Sequence, residues 1–266
     1  MQLQFDKKLF FLLGLPRSGS SWLGNVLYAY LKKQQNFEVY LDGYFNKSTY
    51  FEILNDGTWL THFSYKPGRF FKTAGFDSSD DQFRIKTFPN YFPMWDSNSL
   101  VFAHKLELLK RTLANTLIKQ HPNELTSTES KFVLTYPHLI LKRRDTWNQL
   151  LSFLLSMSTN SFILNRGQSL AHVEQNSITA ELLTVVQYLQ MIKKLDELVT
   201  VDSNILYFED LPFEDPNILL SNLGLEPILT KDDLEFFPIK QQYGNKERFF
   251  SNIEKIKEIY DTKKIY

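Results

Sequence analysis

Apolar residues in this chain alternate between short unbroken runs and segments in which they recur at helical spacing. Lys8 to Gly14, KLFFLLG, is such a run, and it reads as a strand buried on both faces. From Ser20 to Gln34, Trp22, Leu23, Val26, Leu27, Tyr30 and Leu31 fall on one face of a helix. Phe37 to Leu41 reads as a second strand, and Phe83 to Thr87 and Leu100 to His104 as short ones. A helix follows from Leu106 to about Gln120. HLILK, His138 to Lys142, is a strand leading into a helix over Asp145 to Met157, with Asp145 as its N-cap. A long helix covers Ile178 to Leu198, a strand Asn204 to Phe208, and short helices 216–223 and 249–260. Strands alternating with helices predict an α/β fold, a central, mostly parallel sheet flanked by helices in three layers. No repeat, low-complexity linker or domain boundary interrupts it, so 1–266 reads as a single domain.

Composition narrows the chemistry. The 266 residues are 43% hydrophobic, enough for a substantial core, and carry 30 basic against 30 acidic side chains. That balance argues against a broad nucleic-acid-binding face while leaving room for a local anion pocket. With no cysteine, thiolate catalysis and disulfides are out, and the five histidines are too scattered to suggest a metal site. Lys7 and Lys8 precede the apolar run Leu9 to Leu15, but that run is short and leads into Pro-Arg-Ser-Gly, unlike a cleaved leader. No run approaches the roughly 18 apolar residues of a membrane span. The expectation is a soluble, cytoplasmic protein.

The first strand breaks into Gly14-Leu15-Pro16-Arg17-Ser18-Gly19-Ser20-Ser21 and then a helix. This is the frame of a P-loop, in which backbone amides curl around an anion at a helix N-terminus. Gly19 permits close approach, and Ser20 and Ser21 add hydroxyls. The lysine that serves a triphosphate would stand between Gly19 and Ser21; Ser20 is there, and the cation has moved upstream to Arg17. The cradle is kept and the ligand changed.

Pro16-Arg17-Ser18-Gly19-Ser20-Ser21-Trp22-Leu23 resembles the 5′-phosphosulfate loop of the sulfotransferases, whose donor is 3′-phosphoadenosine 5′-phosphosulfate (PAPS). The resemblance implies a P-loop-type fold, with Arg17, Ser18, Gly19, Ser20 and Ser21 holding the phosphosulfate and Trp22 either stacking near adenine or packing in the first helix. Such an enzyme also binds the ribose 3′-phosphate. The strand ending Lys142-Arg143-Arg144 runs into a helix whose Asn148, Ser152, Ser156 and Thr159 form one polar stripe. Arg144 and Ser152 match the family's Arg-to-Ser spacing, and Arg143-Arg144-Asp145, Gln149 and Ser152 resemble the bacterial trehalose-type members. NILYFEDL, Asn204 to Leu211, is similar to a late family strand, and Lys246 and Arg248 lie where members place a basic loop over the nucleotide.

The general base is less legible. Arg84-Ile85-Lys86-Thr87-Phe88-Pro89 has phenylalanine where many members have histidine. Trehalose-type members use a carboxylate before a Tyr-Phe, and Leu41-Asp42-Gly43-Tyr44-Phe45 resembles that place, which makes Asp42 the first candidate. Glu38 is a distant second, and His104, with Lys105 to steady the sulfonate, is a further candidate. Residues 44–95 hold 15 aromatics in 52 positions, of which most would pack onto the sheet and some could wall an acceptor site. The expectation is transfer of a sulfuryl group from PAPS, without a metal, to a hydroxyl of a carbohydrate or small-molecule acceptor. A nucleotide kinase-like phosphotransferase and a non-catalytic nucleotide-binding protein are the alternatives.

Overall fold

The computed structural model describes residues 9–34, 37–42, 49–53, 59–63, 115–159, 173, 175–201, 203–230, 233 and 244–264. In chain order the elements are β1 (Leu9–Gly14), α1 (Ser20–Gln34), β2 (Phe37–Asp42), β3 (Thr49–Ile53), β4 (Trp59–Phe63), β5 (Asn115–Gln120), α2 (Ser127–Val133), β6 (His138–Lys142), α3 (Thr146–Thr159), α4 (Leu182–Glu197), β7 (Ile205–Tyr207), α5 (Pro216–Asn222) and α6 (Ile253–Lys264). β5 lies between β1 and β2, and β6 pairs with β7; the registers β1–β5, β2–β5 and β6–β7 are all parallel. The α/β architecture is as the alternation of strands and helices predicts.

The described chain divides into two compact units. One comprises Gln2–Leu13 and Leu27–Leu139. Its β1 is buried along its whole length, because LFFLLG offers no polar face to water. β5 runs beside it with Phe11 opposite Ile118 and Leu13 opposite Gln120. This corrects the helix expected up to Gln120. Leucines at helical spacing carry that expectation, but at 115–120 two parallel neighbours take up the backbone, and Thr116, Leu117 and Ile118 are fully buried. α2 opens on a capping box between Thr126 and Glu129. β3 and β4 form an antiparallel ribbon inside the stretch read as loop. The strands expected at 83–87 and 100–104 lie outside the described residues.

The other unit comprises Gly14–Val26 and Ile140–Tyr266. Its core joins α3, α4 and α6 through Leu150, Leu154, Val185, Tyr188, Phe250 and Ile256. Phe153 stacks on Tyr188 with ring centroids 4.3 Å apart. The long helix starts at Leu182, later than expected, because Ile178 is drawn out into a bridge with Phe250. Among the described residues no helix is long and apolar enough to cross a membrane.

Phe250 is fully buried between these helices. Phe250→Ala should cost about 3–5 kcal/mol. Urea unfolding should show this as a lower midpoint at unchanged slope.

Candidate anion-binding site

The loop between β1 and α1 depends on two residues with left-handed backbone, Arg17 at φ 66° and Gly19 at φ 85°. Alternating such residues with right-handed ones turns successive amides inward and makes a concavity for an anion. Glycine is required at position 19 for a second reason: a Cβ there would stand 2.7 Å from Cδ2 of Phe208. Arginine at a positive φ is uncommon and is held there by its surroundings.

Those surroundings are donors to the loop's carbonyls. Ser18 gives both its amide and its hydroxyl to the Leu15 carbonyl. The Tyr188 hydroxyl donates to the Pro16 carbonyl at 2.6 Å, and Gln149 Nε2 adds a second bond at 3.4 Å. Arg143 Nη1 donates to the Arg17 carbonyl at 3.3 Å, and the Leu23 amide takes the Gly19 carbonyl. With these oxygens engaged by protein, the mouth is left to amides of the loop and of the first turn of α1. Burial pushes the Tyr188 hydroxyl's pKa up, so it stays a neutral donor.

Three cations gather here. Arg17 Nε donates to Ser152 Oγ at 3.1 Å, joining the loop to the second turn of α3. Arg143 lies over the Phe208 ring at 4.2 Å with its side chain only 13% exposed. Burial lowers its pKa, opposed by Glu209 and Asp145, yet a guanidinium remains charged. Lys246 reaches Asn148 Oδ1 at 3.3 Å. Its pKa is lowered by burial and then by Arg143 and Arg17, with Asp145 opposing. Mutual repulsion of this kind is relieved by a bound anion.

The β6–α3 junction differs from the sequence-based picture. Ser152 is met by Arg17, whereas the Arg144 fork is taken by both oxygens of Asp210, at 2.7 and 2.6 Å. The bond from Arg144 holds the Asp210 carboxyl below its usual range. Arg144 is half exposed and lies over Tyr207. Glu209 accepts the amides of Arg144 and Asp145 at 3.1 and 3.2 Å, and Asp145 caps α3 through the Asn148 amide. Of the expected polar stripe on α3, Ser152 and Ser156 are buried while Asn148 and Thr159 are half-buried, and Ser156 and Thr159 return their hydroxyls to the helix's own carbonyls. A crevice of about 220 Å³ lies beside the junction, lined among others by Lys142, Arg143, Gln149, Asp196 and Tyr207.

Ser18 and Ser20 are buried in the loop, and Ser21 is partly exposed. Trp22 is 5% exposed, with its ring 4.8 Å from Phe213, so packing accounts for it. Asp42 ends β2 in register with Lys119 of β5. His104 and Lys105 lie outside the described residues. Reasoning from sequence passed over Tyr188, Glu209 and, as an anion-facing cation, Arg143. The first of two adjacent arginines at a strand end was the available signal for Arg143; an isolated tyrosine among apolar helix positions gives none.

The chain matches no family model, and a search of curated proteins finds no match either.

Gly19→Ala combines a left-handed φ with the Phe208 clash and should cost about 2–4 kcal/mol, measurable by chemical unfolding. Tyr188→Phe removes one of the two donors to the Pro16 carbonyl. It should cost about 1 kcal/mol and weaken anion binding measured by calorimetry.

Proposed function

We propose that this protein is a PAPS-dependent sulfotransferase acting on a hydroxyl of a carbohydrate or small metabolite. The observation that carries this reading is the site of the loop's cation. A triphosphate loop needs lysine directly after its second glycine; here that residue is the buried Ser20, and the charge sits on Arg17, bonded to Ser152. A second group of cations, Arg143 and Lys246, supports a ligand with two separate phosphates.

In this reading Arg17 and the amides of residues 19–21 hold the phosphosulfate, and Ser152, Arg143 and Lys246 meet the 3′-phosphate. Arg144 braces Asp210 instead. The acceptor oxygen attacks sulfur in line, forming the new S–O bond as the bond to the 5′-phosphate oxygen breaks. The electron pair stays on that phosphate, whose growing charge Arg17 and the loop amides neutralise. The acceptor proton passes to a base. Asp42 and His104 are the candidates from sequence.

Calorimetry should show PAP (the desulfated nucleotide) and PAPS binding tightly and ATP weakly. ATP binding as well as PAP would favour the kinase-like reading. PAPS binding without turnover over an acceptor panel would favour a non-catalytic binder. Arg17→Ala should abolish transfer. Arg143→Ala should weaken PAP by about 1.5–3 kcal/mol, and Arg144→Ala by less. Of Asp42→Asn and His104→Gln, the variant that removes the acid limb of the pH–rate profile identifies the base.

A further inference from the structure

The turn Phe208–Asp210 follows β7 and is far in sequence from both the loop and α3, yet it touches the working parts of each. Its phenylalanine sets the space at Gly19 and underlies the Arg143 guanidinium. Its glutamate occupies the place where a phosphate would sit at the start of α3. The two carboxylate oxygens of Glu209 take successive amides, those of Arg144 and Asp145, and one lies 3.7 Å from Arg143 Nε. That buried Nε makes no hydrogen bond. The same guanidinium uses Nη1 on the Arg17 carbonyl.

We propose that Glu209 is a positioning residue for anion binding. Its carboxylate is a resident anion at the β6–α3 junction. It holds Arg143 between the Phe208 ring and the Arg17 carbonyl, and so steadies the left-handed backbone of the loop. The junction amides are thereby closed to a ligand, and the ligand's second phosphate is confined to the side where Arg143, Lys246 and Ser152 stand. The inference rests on the loop being an anion site, as in the reading above.

Two physical effects of removing Glu209 have opposite signs, so a binding measurement separates them. If its charge only weakens the local field, Glu209→Gln should bind every anion more tightly. If it positions Arg143, the same variant should bind PAP about tenfold more weakly. Glu209→Ala should then lose more, and millimolar formate, refilling the vacated place, should restore part of its PAP affinity; wild-type protein in formate controls for competition at the loop. Tighter or unchanged PAP binding by Glu209→Gln overturns the proposal, as does a Glu209→Ala loss that formate leaves untouched. If Glu209→Ala does not fold, Glu209→Gln decides alone. A ligand-free crystal structure of Glu209→Gln gives an arm independent of the nucleotide. Displacement of Arg143 from Phe208 and from the Arg17 carbonyl is expected, and an unmoved Arg143 overturns the proposal. Failure of wild-type protein to bind PAP would instead count against the sulfotransferase reading, with the crystal arm still deciding this one.

Discussion

A pocket built from backbone amides can exist only if the carbonyls of the same residues point elsewhere and are satisfied there. In this loop the Pro16 carbonyl is the hinge of that requirement. Tyr188 from α4 and Gln149 from α3 both donate to it. Left without a donor in a buried setting, such a carbonyl would cost about 1–3 kcal/mol, comparable to the cost of holding Arg17 at a positive φ. The strained residue is therefore tolerable only because its neighbour's oxygen is so well held. Tyr188 is also packed on Phe153 in the core of α3, α4 and α6, which passes the rigidity of the helices to the loop. Local backbone geometry, core packing and the capacity to bind an anion are one problem here.

The end of β6 is a second place where magnitudes sort the interactions. Three consecutive residues each pair with a carboxylate: Lys142 with Asp196, Arg143 with Glu209, and Arg144 with Asp210. The shortest contacts belong to the outer two, but Arg144 and Asp210 are about half exposed, and exposed pairs contribute little in solution. The Arg143–Glu209 pair is longer at 3.7 Å, yet Arg143 is mostly desolvated and cannot be left without a counter-charge cheaply. Distance alone would rank them in the wrong order. The looser pair, whose arginine is largely desolvated, governs the site, and the short exposed pair attaches the following turn to the strand.

The sequence made the strand-loop-helix unit at Gly14–Ser20 plain, since an apolar run, a Gly/Ser turn and helical spacing follow in order. It also made β6 and α3 plain. It was silent where spacing and tertiary pairing disagree. At 115–120 leucine spacing suggested helix, while the sheet required a strand. Polar side chains on α3 looked like a wet stripe because periodicity reports which residues share a face and not what covers that face. Which of Arg143 and Arg144 turns inward was likewise undecided in one dimension. It depends on Glu209 and Asp210, more than 60 residues away along the chain.

The clustering of Arg17, Arg143 and Lys246 bears on what kind of anion suits the site. A triphosphate loop neutralises its ligand with one mobile lysine and a divalent cation that arrives with the nucleotide. Here the positive charge is carried by two guanidinium groups and one ammonium, each tied to a neighbour: Arg17 to Ser152, Arg143 to the Arg17 carbonyl, Lys246 to Asn148. Tethering reduces the ordering cost on binding, and the burial of Lys246 and its repulsion by Arg143 and Arg17, which together lower its pKa, are present before a ligand arrives. A ligand whose charge is divided between separated groups relieves that repulsion at several points. A planar guanidinium fork also suits sulfuryl and phosphoryl oxygens better than a point charge does. Fixed side-chain charge in this arrangement matches a bisphosphorylated or phosphosulfated nucleoside better than a magnesium-bound triphosphate.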